Sequence, residues 1–128
     1  MNLLLDTNIF LWLSQTPGRI SASAWAILNE RNNRRYLSIA RIWEMEIKFS
    51  LGKLYLPAVV KDFIGTQQRI TATQSLPVFE HHIWALADLS LHHRDPFDRL
   101  LIAQAIAEGY TLVTADAVFA NYPVNVLM

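Results

Sequence analysis

Four acids in this 128-residue chain stand where a carboxylate can do chemistry. Met1-Asn2-Leu3-Leu4-Leu5-Asp6 is a short apolar run that stops at an acid, and Tyr110-Thr111-Leu112-Val113-Thr114-Ala115-Asp116 repeats the pattern. Such runs read as buried parallel strands ending at the carboxyl edge of the sheet, where open α/β sheets bind ligands. If the two strands are neighbours, Asp6 and Asp116 share one rim, and the crowded charges cost energy unless a cation lies between them. Asp98 precedes Leu101, Ile102 and Ala105 at helical spacing. Its carboxylate therefore tops an apolar helix face, looks toward the sheet and wants a partner that a metal would supply. Glu44 shares a helix face with Ala40, Ile47 and Leu51 and can also look inward.

Each acid has a plainer reading. Aspartate between a strand and a helix is a common N-cap, which suits Asp6 and Asp116 taken singly. Asp95-Pro96-Phe97-Asp98 resembles a capping box, with Asp95 at the cap and Pro96 at the first helical position. Glu44 precedes Lys48 by one turn, the spacing of an exposed ion pair worth only a few tenths of a kcal/mol. Glu46 reads as solvent-facing or partner-facing. The histidines come as His81-His82 and His92-His93. Adjacent helix residues diverge by about 100°, so neither pair makes an obvious two-ligand site. Arg31, Arg34, Arg35, Arg41, Lys48 and Lys53 could form a phosphate-binding margin or a solvated face. The four tryptophans lie in apolar segments and read as core or interface.

The elements that must position these acids follow from periodicity and punctuation. After Asp6, a helix over Ile9 to Leu13 ends at Pro17-Gly18, and a second starts at the natural cap Ser21. Residues 35–39 form the next strand, and a helix from Ala40 closes at Gly52. Leu56-Pro57 introduces another helix with proline in its first turn. Ser75-Leu76-Pro77-Val78 reads as an edge strand, because proline cannot donate to a central ladder. Glu80 to Leu89 is helical, Phe97 to Glu108 is the best-defined helix with Gly109 as its stop, and 124–127 is a last strand. Strands separated by helices predict a parallel sheet with helices on both faces.

Composition bounds the function. The chain is 52% hydrophobic and 17% charged, which fits one ordered domain over 1–128 and a surface partly covered by another subunit. Its formal net charge is zero, so a nucleic acid would be held by a local patch and by metal rather than by a global field. Without cysteines there are no disulfides or thiolate sites. The first apolar run lacks a basic region and is cut by Asp6, and no stretch reaches the roughly eighteen apolar residues of a span, so the expectation is a cytoplasmic chain without a membrane partner.

Leu4-Leu5-Asp6-Thr7-Asn8, Trp43-Glu44 with Lys48 and Gly52-Lys53-Leu54, His93-Arg94-Asp95-Pro96-Phe97-Asp98-Arg99, and Thr114-Ala115-Asp116 together resemble the PIN-domain ribonucleases of VapC-type toxins. The similarity runs through the whole chain in order. It implies a three-layer α/β/α sandwich with a central parallel sheet and an acidic pocket holding Mg²⁺ or Mn²⁺. It also implies endonucleolytic cleavage of RNA by a metal-activated water, and silencing by a cognate antitoxin. By motif position Asp6, Glu44, Asp98 and Asp116 match the family's acidic quartet. Asp6 and Asp98 would be the principal ligands, with Glu44 and Asp116 completing the shell. Thr7, Asn8 and Thr114 would orient ligands or phosphate, and Asp95 lies near the pocket. Arg41 departs from the pattern, standing where related sequences often carry a small hydroxyl residue. A homodimer, and a larger assembly with the antitoxin, go with the resemblance and the apolar composition. A haloacid-dehalogenase-type phosphatase needs a second aspartate two positions after the first, where this chain has Asn8. A non-catalytic module acting through its partner surface is the other rival.

Overall fold

The structure is a computed structural model, and it describes residues 1–90 and 95–128. Five strands form one sheet: β1 (Asn2–Leu5), β2 (Arg34–Ser38), β3 (Thr73–Leu76), β4 (Thr111–Val113) and β5 (Val126–Leu127). Their order is β3-β2-β1-β4-β5, and every pairing is parallel. Six α-helices connect them: α1 (Thr7–Gln15), α2 (Ala22–Leu28), α3 (Ile39–Ser50), α4 (Val60–Thr71), α5 (Glu80–Leu86) and α6 (Pro96–Glu108).

Leu3, Leu4 and Leu5 are fully buried because β1 is the central strand and is covered on both faces. Their alternation divides the interior. Leu3, Leu5, Leu37 and Val113 pack with Phe10 of α1, Leu28 of α2, Met45 of α3 and Phe63 of α4. On the other face Leu4, Leu76 and Leu112 pack with Leu101, Ile102 and Ala105 of α6 and with Phe119 and Tyr122. The expected α/β/α layering is what the chain adopts.

The local signals explain most boundaries. Ser21 caps α2 by accepting from the Ala24 amide, and Asp95 caps α6 by accepting from the amides of Phe97 and Asp98. Gly109 ends α6 at φ +69°, a left-handed conformation that suits glycine. Three elements differ from expectation. Pro57 lies outside α4, which starts at Val60, so proline there sits within the preceding loop instead of opening the helix. The edge strand covers Thr73–Leu76 and stops before Pro77, whose missing N–H cannot continue the ladder. Helix α5 also ends at Leu86, short of Leu89. Among the described residues, no helix is long and apolar enough to cross a membrane.

Candidate active site

The site lies where the chain's strand order turns, at the carboxyl ends of the adjacent strands β1 and β4. Register sets Leu5 beside Val113, so the next residues, Asp6 and Thr114, meet side by side. Thr114 is buried, and its hydroxyl donates to Asp6 Oδ2 at 2.8 Å while accepting from the Asp116 amide at 3.0 Å. One hydroxyl thus fixes both strand ends relative to each other. Asp6 is also the N-cap of α1, accepting from the Thr7 amide at 2.8 Å, so capping and site membership coincide in one residue.

Glu44 and Asp98 arrive from opposite layers. Glu44 sits in the second turn of α3, which Ser38 caps at the end of β2, and Asp98 sits in the first turn of α6. Asp6, Thr7, Asn8, Glu44, Asp95, Asp98 and Asp116 all line one cleft of about 580 Å³, together with Arg41, Lys48 and Lys53. Both readings of Glu44 hold, since it is buried and Lys48 Nζ lies 3.4 Å from Oε2. Asp116 stands apart from the other acids. It is exposed at the cleft margin, and its Oδ1 accepts from the Val118 amide at 3.1 Å.

The cation between the acids is Arg41. Its side chain is 3% exposed, and Nη2 lies 2.8 Å from Asp6 Oδ1 and 2.5 Å from Asp98 Oδ1, while Nη1 donates to Glu44 Oε1 at 2.8 Å. One guanidinium thereby ties α3, α6 and the end of β1 together. Burial pulls the pKa of Arg41 down, but the charges of Asp6, Asp98 and Glu44 and the hydrogen bond to Asp98 outweigh it, so the group is held more firmly protonated than usual. Burial pushes the Asp98 carboxyl above its usual range; Arg41 opposes this, while Asp95 and Asp6 add to it. Two buried side-chain atoms, Thr7 Oγ1 and Arg41 Nε, have no hydrogen-bond partner among the described residues.

Several sequence expectations are corrected by this geometry. Of the six basic residues read as one margin, Arg41, Lys48 and Lys53 reach the cleft. Arg34 and Arg35 belong to β2, whose start lies beside Asn2 at the sheet's other edge. There Arg35 donates to the carbonyls of Leu28 and Thr71, at 2.6 Å each for its closest contacts. Trp43 and Trp84 are 61% and 66% exposed, so they are surface rather than core. His81 and His82 converge despite their adjacency, both placing Nε2 within 2.9 Å of Glu108 Oε1. These three residues offer ligand atoms within 4.8 Å of one another. His82 Nδ1 accepts from the Phe79 amide at 3.0 Å, however, so its proton is on Nε2 and points at Glu108. That tautomer leaves no lone pair for a metal. His92 and His93 lie outside the described residues.

Sequence reading missed the hub role of Arg41 and the polar link behind it. Ser38 Oγ donates to Gln104 Oε1 at 2.5 Å, and Gln104 Nε2 approaches the Pro77 carbonyl at 3.2 Å and His82 Nδ1 at 3.4 Å. A glutamine inside the apolar run Leu100 to Ala107 was the available signal.

Comparison with known proteins agrees with this architecture. The family model described as PIN domain matches residues 3–125. No curated protein matches the sequence. Among solved structures, a chain of VapBC2 from Rickettsia felis, crystallised with a DNA fragment from their promoter, superposes with a TM-score of 0.72 at 20% identity, covering 99% of this chain and 98% of that one. A chain of VapBC-1 from nontypeable Haemophilus influenzae superposes with a TM-score of 0.68 at 17% identity, covering 99% and 97%.

Proposed function

The chain belongs to the PIN-domain family, and from that premise we propose that it is a divalent-metal-dependent endoribonuclease, the toxin of a toxin–antitoxin pair. The observation that carries this reading is the convergence of Asp6, Glu44 and Asp98 on one point, with Asp116 lining the same cleft. Likeness in fold to chains of two VapBC proteins supports the toxin role and the cognate antitoxin.

The donor set fits Mg²⁺ or Mn²⁺ by its chemistry, being hard carboxylate oxygens with an unpartnered threonine hydroxyl beside them. Asp6 and Asp98 would hold the ion, with Glu44 and Asp116 completing the shell; when bound, it supplies Lewis acidity and an activated water for phosphodiester hydrolysis. Thr114 keeps Asp6 in one orientation through its 2.8 Å hydrogen bond. Thr7 and Asn8 line the cleft next to Asp6, placed to orient a phosphate. Asp95 holds the start of α6, and thereby Asp98, in position through its two amide contacts. Lys48 and Lys53 bring positive charge to a cleft in an otherwise neutral chain, where an RNA phosphate would enter.

A second reading has one observation in its favour. Arg41 already gives the acids a cationic partner, as it would in a non-catalytic module that works through its partner surface. Structured RNAs incubated with antitoxin-free protein, with and without Mn²⁺, separate the two. The nuclease reading expects Mn²⁺-dependent cleavage by the wild type and its loss in Asp6→Asn and Asp98→Asn. Equal cleavage by the variants would expose a contaminant, and silence toward every RNA would favour the binding module. A homodimer in the cytoplasm, alone or within a larger assembly with antitoxin, completes the proposal. The exposed Trp43 and Ile39 supply apolar surface for association. A monomer mass by light scattering at micromolar concentration would reject the dimer.

A further inference from the structure

We infer that Arg41 is a resident competitor for the cation position of the acidic cleft, so that a divalent ion binds only when this side chain withdraws. The inference rests on the metal-dependent reading of the site and adds a built-in restraint to it.

Three observations carry it. The first is occupancy. Arg41 touches Asp6, Glu44 and Asp98, three of the four acids assigned to the ion. The remaining oxygens of two of these acids are also engaged, Asp6 Oδ2 by Thr114 and Glu44 Oε2 by Lys48. The second is charge. Three carboxylates facing one guanidinium and one lysine carry a net charge of about −1. A divalent ion entering beside a retained guanidinium would therefore face a like charge at contact distance in a buried setting. The third is the state of Arg41 itself. It is almost wholly buried, yet Nε has no partner among the described residues. The ion-pair network is thus imperfectly satisfied, and its replacement by an ion loses less than a fully bonded arginine would.

Position on the helix explains why the competitor reaches the site at all. Arg41 lies three residues before Glu44 on α3, so the two side chains leave the helix on one face and point to one spot. A serine or threonine at position 41 would be too short to bridge to Asp98, leaving the acids to an ion.

The test is Mn²⁺ binding to the antitoxin-free full chain by titration calorimetry, comparing wild type with Arg41→Ser and Arg41→Met. Apparent affinity falls with the fraction of molecules in which the side chain has withdrawn. Both variants are therefore expected to bind Mn²⁺ at least about tenfold more tightly than the wild type. In parallel melts, Mn²⁺ should raise the midpoint of the variants more than that of the wild type. Methionine keeps the aliphatic stem and serves if the serine variant does not fold; a serine variant that folds only with Mn²⁺ supports the inference as well. Equal or weaker binding by the variants overturns it, as does absence of Mn²⁺ binding to all three proteins. RNA cleavage separates the two claims. Tighter binding without cleavage sinks the nuclease reading and leaves Arg41 as the competitor, whereas Mn²⁺-dependent cleavage with equal affinities does the reverse.

Discussion

Two clusters of ionisable side chains sit at opposite ends of α6, and they settle their charges in different ways. At its first turn, Asp98 joins Asp6 and Glu44 around a charged guanidinium. At its last turn, Glu108 accepts from His82, which is fully buried, neutral and satisfied at both ring nitrogens. The second cluster is finished. Its tautomer is fixed by the Phe79 amide, and its one full charge sits on a carboxylate still in touch with solvent. The first has one guanidinium shared by three acids, a nitrogen with no partner among the described residues, and an open cleft beside it. An unfinished ionic cluster at a sheet's carboxyl edge is where ligand chemistry belongs; a fully hydrogen-bonded one is architecture.

The sharpest way to break this comparison is to delete each hub. Arg41→Met, in the absence of divalent metal, should cost ~3–5 kcal/mol in urea melts at pH 7, because three acids lose their common partner. Adding Asp98→Asn to that background should recover part of the loss, and should gain more there than in the wild type, where Asp98 still has its guanidinium; strict additivity would mean the pair is not coupled. His82→Ala should cost ~2–4 kcal/mol, from the lost amide and carboxylate hydrogen bonds and the space left behind, and Mn²⁺ should restore none of it. Ser38→Ala should cost ~1 kcal/mol, since it removes the α3 cap and the Gln104 contact together. A loss above that of His82→Ala would make the link between the clusters the more important element.

The smallest effect is the most discriminating, because the two acids on α6 titrate in opposite directions. Hydrogen bonds from His82 and His81 hold the Glu108 carboxyl below its ordinary value of 4.5. Glu108 therefore contributes stability above pH 4.5 that is lost as pH falls through its depressed folded value. Asp98, raised above 3.8 chiefly by burial, does the reverse. Its contribution is fully present below pH 3.8 and is lost as pH rises through the elevated folded value. Stability measured from pH 3 to 6 should fall less steeply on acidification in Glu108→Gln and more steeply in Asp98→Asn. Parallel curves would contradict the opposed shifts.

Much of this was readable from one-dimensional signals where local chemistry dictates geometry. Apolar runs ending at Asp6 and Asp116 placed two strand ends, and Asp95-Pro96 with Gly109 bracketed α6 almost to the residue. Capping and cleft lining do not compete for Asp6, which caps α1 and also contacts Arg41 in the cleft. The Arg41 contacts were not legible, because they join residues 6, 41 and 98 through a fold that sequence spacing does not measure. The sequence pointed to a divalent ion beside Asp6, Asp98 and Asp116; the charge that meets Asp6, Glu44 and Asp98 is instead a guanidinium, whose arrival depends on the reach of one rotamer. The histidine pair is a core and a surface residue, but their shared partner Glu108 could not be read from spacing either. Adjacent residues diverge on their own helix, but here His82 sits in the first turn of α5 and a carboxylate from α6 lies within reach of both rings.

The central position of β1 bears on how the protein is made. Its neighbour on one side, β4, emerges from the ribosome more than a hundred residues later. Until then Asp6 lacks the strand beside it and the Thr114 hydroxyl that orients it, while Arg41 and Glu44 already stand together on a single helix. A polypeptide cut off before β4 therefore has α3 and its Arg41–Glu44 pair but cannot hold the end of β1 in place, and the cleft is assembled only once residues from both halves of the chain have met.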